Sequence, residues 1–124
     1  MHLAMSDEGR PKIDLDLAAA EIESRRARWT AAGFEVGELT WRDVAAGWPY
    51  PLVGRADATS PDSVGVRAVR GEVEFSVVLF DGGWADVEGG HLDAGGYEAE
   101  APDVADAQAF GSLLDRTFDR WTST

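Results

Sequence analysis

The chain has 124 residues, of which 44% are hydrophobic and 27% are charged, a size and composition typical of one folded domain rather than of a disordered segment. It carries 11 basic and 23 acidic residues, and its formal net charge of -12 disfavours direct binding to nucleic acids or to anionic membranes. It contains no cysteine, which excludes disulfides, thiolate metal sites and a cysteine nucleophile.

Residues 1 to 12 are polar, contain Gly9 and Pro11, and predict a flexible tail in which Met5 is an alternative start. Residues 13 to 124 predict a single α+β domain. The N-terminus lacks the apolar core of a signal peptide, and no run reaches the roughly 20 apolar residues that span a bilayer. We therefore expect a cytoplasmic protein.

The first predicted element is an amphipathic helix of about 16 residues. Asp14 and Asp16 are good N-cap residues, and Gly33 is a suitable residue to follow the last turn. Between them apolar residues recur at helical spacing: Leu15, Ala18, Ile22 and Trp29. The alternation of Ile13, Leu15 and Leu17 leaves open a short strand that leads into the helix.

Residues 34 to 44 are rich in strand formers but change phase, so a bulge is expected at Gly37. The segment GWPYPLVG, residues 47 to 54, contains two prolines and predicts a loop. Its Trp48 and Tyr50 either contact a partner or fold back to cover one end of the core. Residues 56 to 63 predict a polar loop that ends in a turn at Ser60-Pro61-Asp62.

Residues 64 to 70 and 72 to 80 predict two antiparallel strands that meet at Gly71, and the second alternates apolar with polar side chains. Asp81-Gly82 is a hairpin signal, so residues 84 to 88 are expected to pair with the preceding strand. Trp84 carries the same two alternatives as Trp48 and Tyr50. Residues 97 to 101 predict one more short edge strand.

Pro102, Asp103 and Asp106 predict the start of a second helix, because acidic residues suit the positive end of a helix. Its apolar stripe consists of Ala107, Phe110, Gly111, Leu114, Phe118 and Trp121. The predicted fold is α+β: an N-terminal helix, a four- to five-stranded antiparallel meander sheet, and a C-terminal helix packed on one sheet face. Trp29, Trp41 and Trp121 are predicted core residues.

The sequence offers little for catalysis. Its only histidines are His2 and His91, and there is no Gly-x-Ser-x-Gly motif and no phosphate-binding loop. His91 and Asp93 are two possible metal ligands, but zinc normally takes three or four, and the acidic residues that follow Asp81 lack the spacing of a calcium loop. We predict a protein that is not an enzyme and that binds no cofactor or metal.

The clearest functional feature is a segment without basic residues between Arg70 and Arg116, in which eleven carboxylates account for almost all of the net charge: Glu72, Glu74, Asp81, Asp86, Glu88, Asp93, Glu98, Glu100, Asp103, Asp106 and Asp115. Glu72/Glu74 and Asp86/Glu88 are i, i+2 pairs on predicted strands, so each pair shares a sheet face. Paired carboxylates can also perform acid–base catalysis, but a solvated sheet face explains them more simply.

An acidic sheet face bordered by Trp84, Trp48 and Tyr50 predicts a binding surface for a basic protein, because opposite charge accelerates association. The predicted partner-binding residues are Glu72, Glu74, Asp86, Glu88, Trp84, Trp48 and Tyr50. In size, charge, lack of cysteine and α+β pattern, with the stretch GGWADVEGG and a C-terminal helix, the chain resembles immunity proteins of bacterial polymorphic toxin systems.

The resemblance implies an inhibitor that neutralises a basic toxin or enzyme by steric and electrostatic blocking, and it assigns no individual residue. Two other classes stay open: a secretion-chaperone-like or adaptor homodimer, and a small-ligand-binding α+β domain. The protein is accordingly expected to be a monomer or a homodimer.

Overall fold

The computed structural model describes residues 11–93 and 95–123. The predicted tail, residues 1 to 12, lies outside this range except for Pro11 and Lys12. The described chain forms helix α1 (Leu15–Ala31), strands β1 (Glu35–Val36), β2 (Thr40–Asp43), β3 (Leu52–Val53), β4 (Pro61–Arg70), β5 (Val73–Phe80), β6 (Trp84–His91) and β7 (Gly96–Glu100), and helix α2 (Ala107–Thr122). Two short 3-10 turns, Val44–Ala46 and Arg55–Asp57, flank β3.

All strands belong to one antiparallel sheet in the order β3-β2-β4-β5-β6-β7, and β1 pairs with the part of β4 that β2 leaves free. Helix α2 and most of α1 cover the same face, which confirms the predicted α+β fold. The sheet has more strands than predicted because β1 and β3 contain two residues each. Such short strands form only through pairing with a neighbour, so the local sequence pattern does not reveal them.

Asp14, one of the two predicted N-cap residues, caps helix α1, and its carboxylate accepts hydrogen bonds from the N–H groups of Asp16 at 2.9 Å and Leu17 at 3.2 Å. It ends just before Gly33, which has a φ of 100°, a conformation that favours glycine. The alternative of a strand at residues 13 to 17 is wrong. Ile13 precedes the helix, is buried, and donates its N–H to the carbonyl of Asp81 at 2.9 Å.

The two helices lie side by side and run in the same direction, as the ion pairs between them show. Arg25 donates to Asp115 at 2.8 Å, and one turn later Arg28 lies 3.5 Å from Asp119. Beneath them the core centres on an aromatic cluster in which Trp29 lies 5.3 Å from Phe75 and 6.0 Å from Phe118, measured between ring centroids. Trp29, Trp41 and Trp121 are all buried, as predicted.

Arg70, at the end of β4, lies where the C-terminal ends of both helices converge. Its guanidinium donates to the carbonyl oxygen of Ala32 at 3.1 Å and to that of Thr122 at 3.4 Å, and it lies 4.8 Å above the ring of Phe34. A cation is favourable at the negative end of a helix dipole. One side chain therefore donates hydrogen bonds to the C-terminal ends of both helices.

Three predicted loop features are wrong in detail. The loop at residues 47 to 54 contains β3, and the polar loop at residues 56 to 63 gives way to β4 at Pro61, where a turn was expected. Gly37 is a break between β1 and β2, whereas the register shift of the sheet lies between Arg42 and Asp43. Neither helix in the described ranges combines the length and the apolar character of a membrane span.

Candidate functional site

The face of the sheet opposite the helices, here called the helix-free face, carries most of the exposed large hydrophobic side chains. Seven such side chains occur in the described part of the chain, and five lie on this face by strand register or direct contact: Trp48, Tyr50, Leu52, Trp84 and Tyr97. Apolar surface gathered on one face is typical of a protein-binding region.

Four aromatic rings and one guanidinium form a continuous row on the helix-free face, here called the aromatic row. Trp48 packs edge-on against Tyr50 at 5.6 Å, and Arg42 lies 5.4 Å from the Tyr50 ring and 5.1 Å from that of Phe80. Phe80 in turn stacks on Trp84 at 4.0 Å. Trp48 is 83% exposed, so the alternative that it covers the core is wrong.

The loops behind the aromatic row are held in place by Asp43, a buried residue at the end of β2. Its carboxylate accepts hydrogen bonds from the N–H groups of Ala45 at 3.1 Å, Thr59 at 3.2 Å and Ser60 at 2.9 Å. These backbone donors, that of Ser60 first, hold the pKa of Asp43 below its ordinary value. Asp43 thereby joins the segments on either side of β3.

Arg42 is fixed in the aromatic row by an ion pair with Asp62, in which the guanidinium Nε donates to a carboxylate oxygen at 2.8 Å and a second nitrogen donates to the other oxygen. A bidentate pair of this kind fixes orientation as well as charge. The Arg42 charge is thereby balanced within the protein. The row consequently offers aromatic surface without adding net positive charge.

Glu74 lies on the helix-free face but is bound within the protein. It is 8% exposed, and its carboxylate accepts hydrogen bonds from Arg67 at 2.6 and 2.8 Å. The Arg67 guanidinium has the largest effect and lowers the pKa of Glu74; burial opposes it, and the hydroxyl of Tyr97 makes a smaller lowering contribution. Glu72 lies in the turn before β5, so the two carboxylates do not form the predicted pair on one strand.

Asp86 and Glu88 do share the helix-free face, since they lie opposite Val78 and Ser76 of β5. Neither forms an ion pair within the described ranges. Beside them, over the small side chains of β7, runs a groove of about 290 Å³, here called the acidic trough, lined by Asp86, Glu88, Ala99, Glu100 and Ala101. A cationic side chain would be favoured there.

Most carboxylates between Arg70 and Arg116 form no ion pair among the described residues, because this segment contains no basic residue of its own. Eight of the ten basic residues in the described ranges form ion pairs: Lys12, Arg25, Arg26, Arg28, Arg42, Arg55, Arg67 and Arg120. Of the eleven carboxylates between Arg70 and Arg116, four are engaged in these pairs: Glu74, Asp81, Glu98 and Asp115. The remaining seven leave the segment strongly negative.

Sequence reasoning missed Arg42, Phe80 and Tyr97 as parts of this surface. A signal for Phe80 was present, since it directly precedes the Asp-Gly turn and its hairpin partner is Trp84. The alternation of side chains along β5 would have placed Phe80 on the sheet face that points away from the core. Arg42 could not be assigned in this way, because its side chain contacts residues that are distant in the sequence: Tyr50 in a loop, Asp62 in β4 and Phe80 in β5.

His91 is half-buried at the end of β6, with its ring 6.4 Å from that of Trp121. His2 lies outside the described residues. Within the described ranges, no three histidine, aspartate or glutamate side chains come together as a set of metal ligands. Comparison of the chain with protein-family models, curated proteins and solved structures finds no match.

Proposed function

We propose that this protein is an acidic protein-binding module, an immunity or inhibitor protein that acts in the cytoplasm and neutralises a basic toxin or enzyme. It acts by binding rather than by catalysis, and its helix-free face blocks the partner sterically and electrostatically.

The observation that carries the proposal is the continuity of the aromatic row with the acidic trough. Trp84 ends the row, and Asp86 and Glu88 follow it on the same face of β6. Large aromatic side chains supply most of the affinity at protein interfaces, whereas complementary charge mainly raises the association rate. One surface therefore combines charged residues that raise the association rate with aromatic residues that slow dissociation, a combination that suits an inhibitor.

The contacts that order this surface also support the proposed function. Asp43 holds the loops behind the aromatic row, and the Arg42–Asp62 pair fixes its central guanidinium. A surface that is already ordered loses little conformational entropy when it binds. The surface thus supports a lasting complex.

The test begins with affinity capture from the source cell's lysate at low salt, stepped salt elution and identification of the eluted protein by mass. Its association rate is then measured with the double variant Asp86→Lys/Glu88→Lys and with the control Asp57→Lys. Asp57 is exposed in the 3-10 turn Arg55–Asp57, whose Arg55 donates to Asp16 in the first turn of α1 at 2.8 Å.

We expect the double variant to slow association by about tenfold or more at low salt and to flatten its salt dependence. The control is expected to change the rate far less. Trp48→Ala is expected mainly to accelerate dissociation. Equal association rates for the wild type and the double variant would refute the proposal, and a homodimer with no basic partner in light scattering would favour the adaptor class.

A further inference from the structure

Strand β7 forms a free edge of the sheet. All five of its residues, Gly96–Glu100, are exposed, and β6 is the single strand that pairs with it in the described part of the chain. Along the outer side of an edge strand, alternate residues present N–H and C=O groups that have no partner within the sheet. Such an edge can accept an extended segment of another chain as an additional strand.

The opposite border of the sheet is much less suited to strand addition. Strands β1 and β3 contain two residues each, and β3 directly follows Pro51. Short edge strands and prolines are common means by which proteins prevent edge pairing. Strand β7 contains neither proline nor lysine. The two borders therefore differ, and β7 is the accessible one.

The charges on β7 disfavour pairing with a second copy of the same chain. In an antiparallel pair centred on Glu98, the two Glu98 residues would lie opposite each other. If the pair were centred on Ala99, each Glu98 would lie opposite Glu100 of the other copy. Like charges directly opposite on neighbouring strands are destabilising, so both of these registers are disfavoured.

A basic segment fits this edge better. Ala99 lies directly opposite Glu88, and its small side chain leaves the acidic trough open toward the edge. Neighbouring strands lie about 4.8 Å apart. A lysine or arginine on the added strand would therefore reach across Ala99 and place its cationic group against Asp86 and Glu88.

The preference for basic residues arises on the helix-free side. On the other side of β7, a second groove, of about 340 Å³, contains Glu98 and Glu100 but also Arg116 and Arg120 of α2. Arg120 donates to Glu98 at 2.7 Å, so charge there is partly balanced. An added strand would therefore match the charge on both sides of β7 if its cationic side chains lay on the helix-free side and its other side chains were neutral.

We infer that β7 accepts an extended, basic segment of the partner as an additional strand of the sheet, with its cationic side chains in the acidic trough. This inference rests on the proposed function and specifies how the partner is held. It adds directional backbone hydrogen bonds to the charge attraction of the helix-free face.

The test uses a short peptide of alternating threonine and lysine, and the same peptide with N-methyl groups on its backbone nitrogens. Both peptides carry the same charge, but the methylated peptide cannot donate strand hydrogen bonds. We expect the first peptide to bind at least about tenfold more tightly. Hydrogen exchange should show protection of amides within Gly96–Glu100 by the first peptide alone.

A substitution in the trough tests the position of the cationic side chains. Ala99→Leu narrows the trough without changing charge, and we expect it to weaken binding of the unmethylated peptide by several-fold or more. Ala56→Leu, at an exposed position in the 3-10 turn Arg55–Asp57, is the control and is expected to leave binding unchanged. Equal binding by the Ala99→Leu variant and the wild type would refute this position.

The outcomes separate this inference from the proposed function. Equal affinity for the two peptides, no binding of either peptide, or protection elsewhere than β7 would overturn strand addition. The proposed function would still stand if the captured partner remained sensitive to Asp86→Lys/Glu88→Lys. Conversely, a partner insensitive to that double variant would refute the proposed function even if the peptide protected β7.

Discussion

Charged side chains between the two helices are paired with one another, whereas Asp86 and Glu88 on the helix-free face form no ion pair within the described ranges. Arg25 of α1 bonds both Glu21 and Asp115, so three charges are joined across two helices. Charge in the helix layer is thus used within the fold, whereas, in the described part of the chain, the charges of Asp86 and Glu88 are not.

The same contrast exists within the helix-free face itself. Glu74 and Glu88 lie on neighbouring strands and point to the same side, yet Glu74 is bound to Arg67 and Glu88 is not. The number of carboxylates in one sequence segment therefore overstates the negative charge that stays unpaired in the fold. The position of each arginine decides which carboxylates remain available.

The largest expected effect contrasts leucines on the two faces. Leu79 is fully buried beneath the helices, and Leu52 is 65% exposed on the helix-free face. Leu79→Ala should lower the free energy of unfolding by about 2–5 kcal/mol, and Leu52→Ala by about 0.5 kcal/mol or less. Chemical denaturation of both variants measures the difference. Similar losses would mean that the helix-free face also contributes a core.

A smaller effect is expected where α2 meets β6. A Cβ atom at Gly89 would lie 2.4 Å from the buried ring of Trp121, whereas a Cβ atom at Gly96 of β7 would have nothing within 4 Å. We expect Gly89→Ala to destabilise the protein by about 1–3 kcal/mol through overpacking, and Gly96→Ala by about 0.5 kcal/mol or less. Thermal melts of both variants test this contrast. A wild-type melting temperature for Gly89→Ala would contradict the observed contact.

The smallest effect concerns the two glutamates of the helix-free face. Glu74→Gln removes the charge from the pair with Arg67 and should cost roughly 0.5–1 kcal/mol at neutral pH, because the Arg67 side chain is 62% exposed. Glu88→Gln removes an exposed charge with no ion pair in the described ranges, and its stability should match that of the wild type. Equal stability of the two variants at low salt would contradict the division between carboxylates that are paired in the fold and carboxylates that are not.

The pH dependence of stability sharpens the same comparison. The pKa of Glu74 lies below its ordinary value of 4.5 in the folded protein, chiefly because Arg67 donates to the carboxylate. The unfolded chain therefore binds the proton more readily. The stabilisation of the fold by the Glu74–Arg67 pair is present above pH 4.5 and is lost as the pH falls through the lowered pKa of Glu74. Denaturation across this range should show a shallower loss for Glu74→Gln than for the wild type.

Much of the fold could be predicted because its signals are local. Asp14 and Asp106 cap the two helices, and residues 81 to 83 turn β5 into β6 as expected. Strand β3 could not be predicted, since its two residues are held only by pairing with β2. Asp103 was expected near the start of α2, but its backbone instead forms an isolated antiparallel β-bridge with Trp84.

The surface was only partly predictable. Alternation placed Asp86 and Glu88 on one face, because this property depends only on the period of a strand. The pairing of Glu74 with Arg67 depends on the hairpin register, in which Arg67 lies opposite Ser76 and diagonal to Glu74. Counting outward from the turn at Gly71 could have revealed this pair. The aromatic row could not be predicted by such counting, because it depends on the conformation of the loop that contains Trp48 and Tyr50.

Arg70 also constrains how the chain can fold. Its hydrogen bonds reach the carbonyl oxygens of Ala32 and Thr122, which are 38 and 52 residues away in the sequence. Each bond closes a long loop, and the chain entropy lost in closing such loops delays the contacts that they bring together. The guanidinium obtains both acceptors only after the first helix, the central hairpin and the last helix have assembled. Arg70 therefore makes the early and the final parts of the chain depend on each other through the central hairpin.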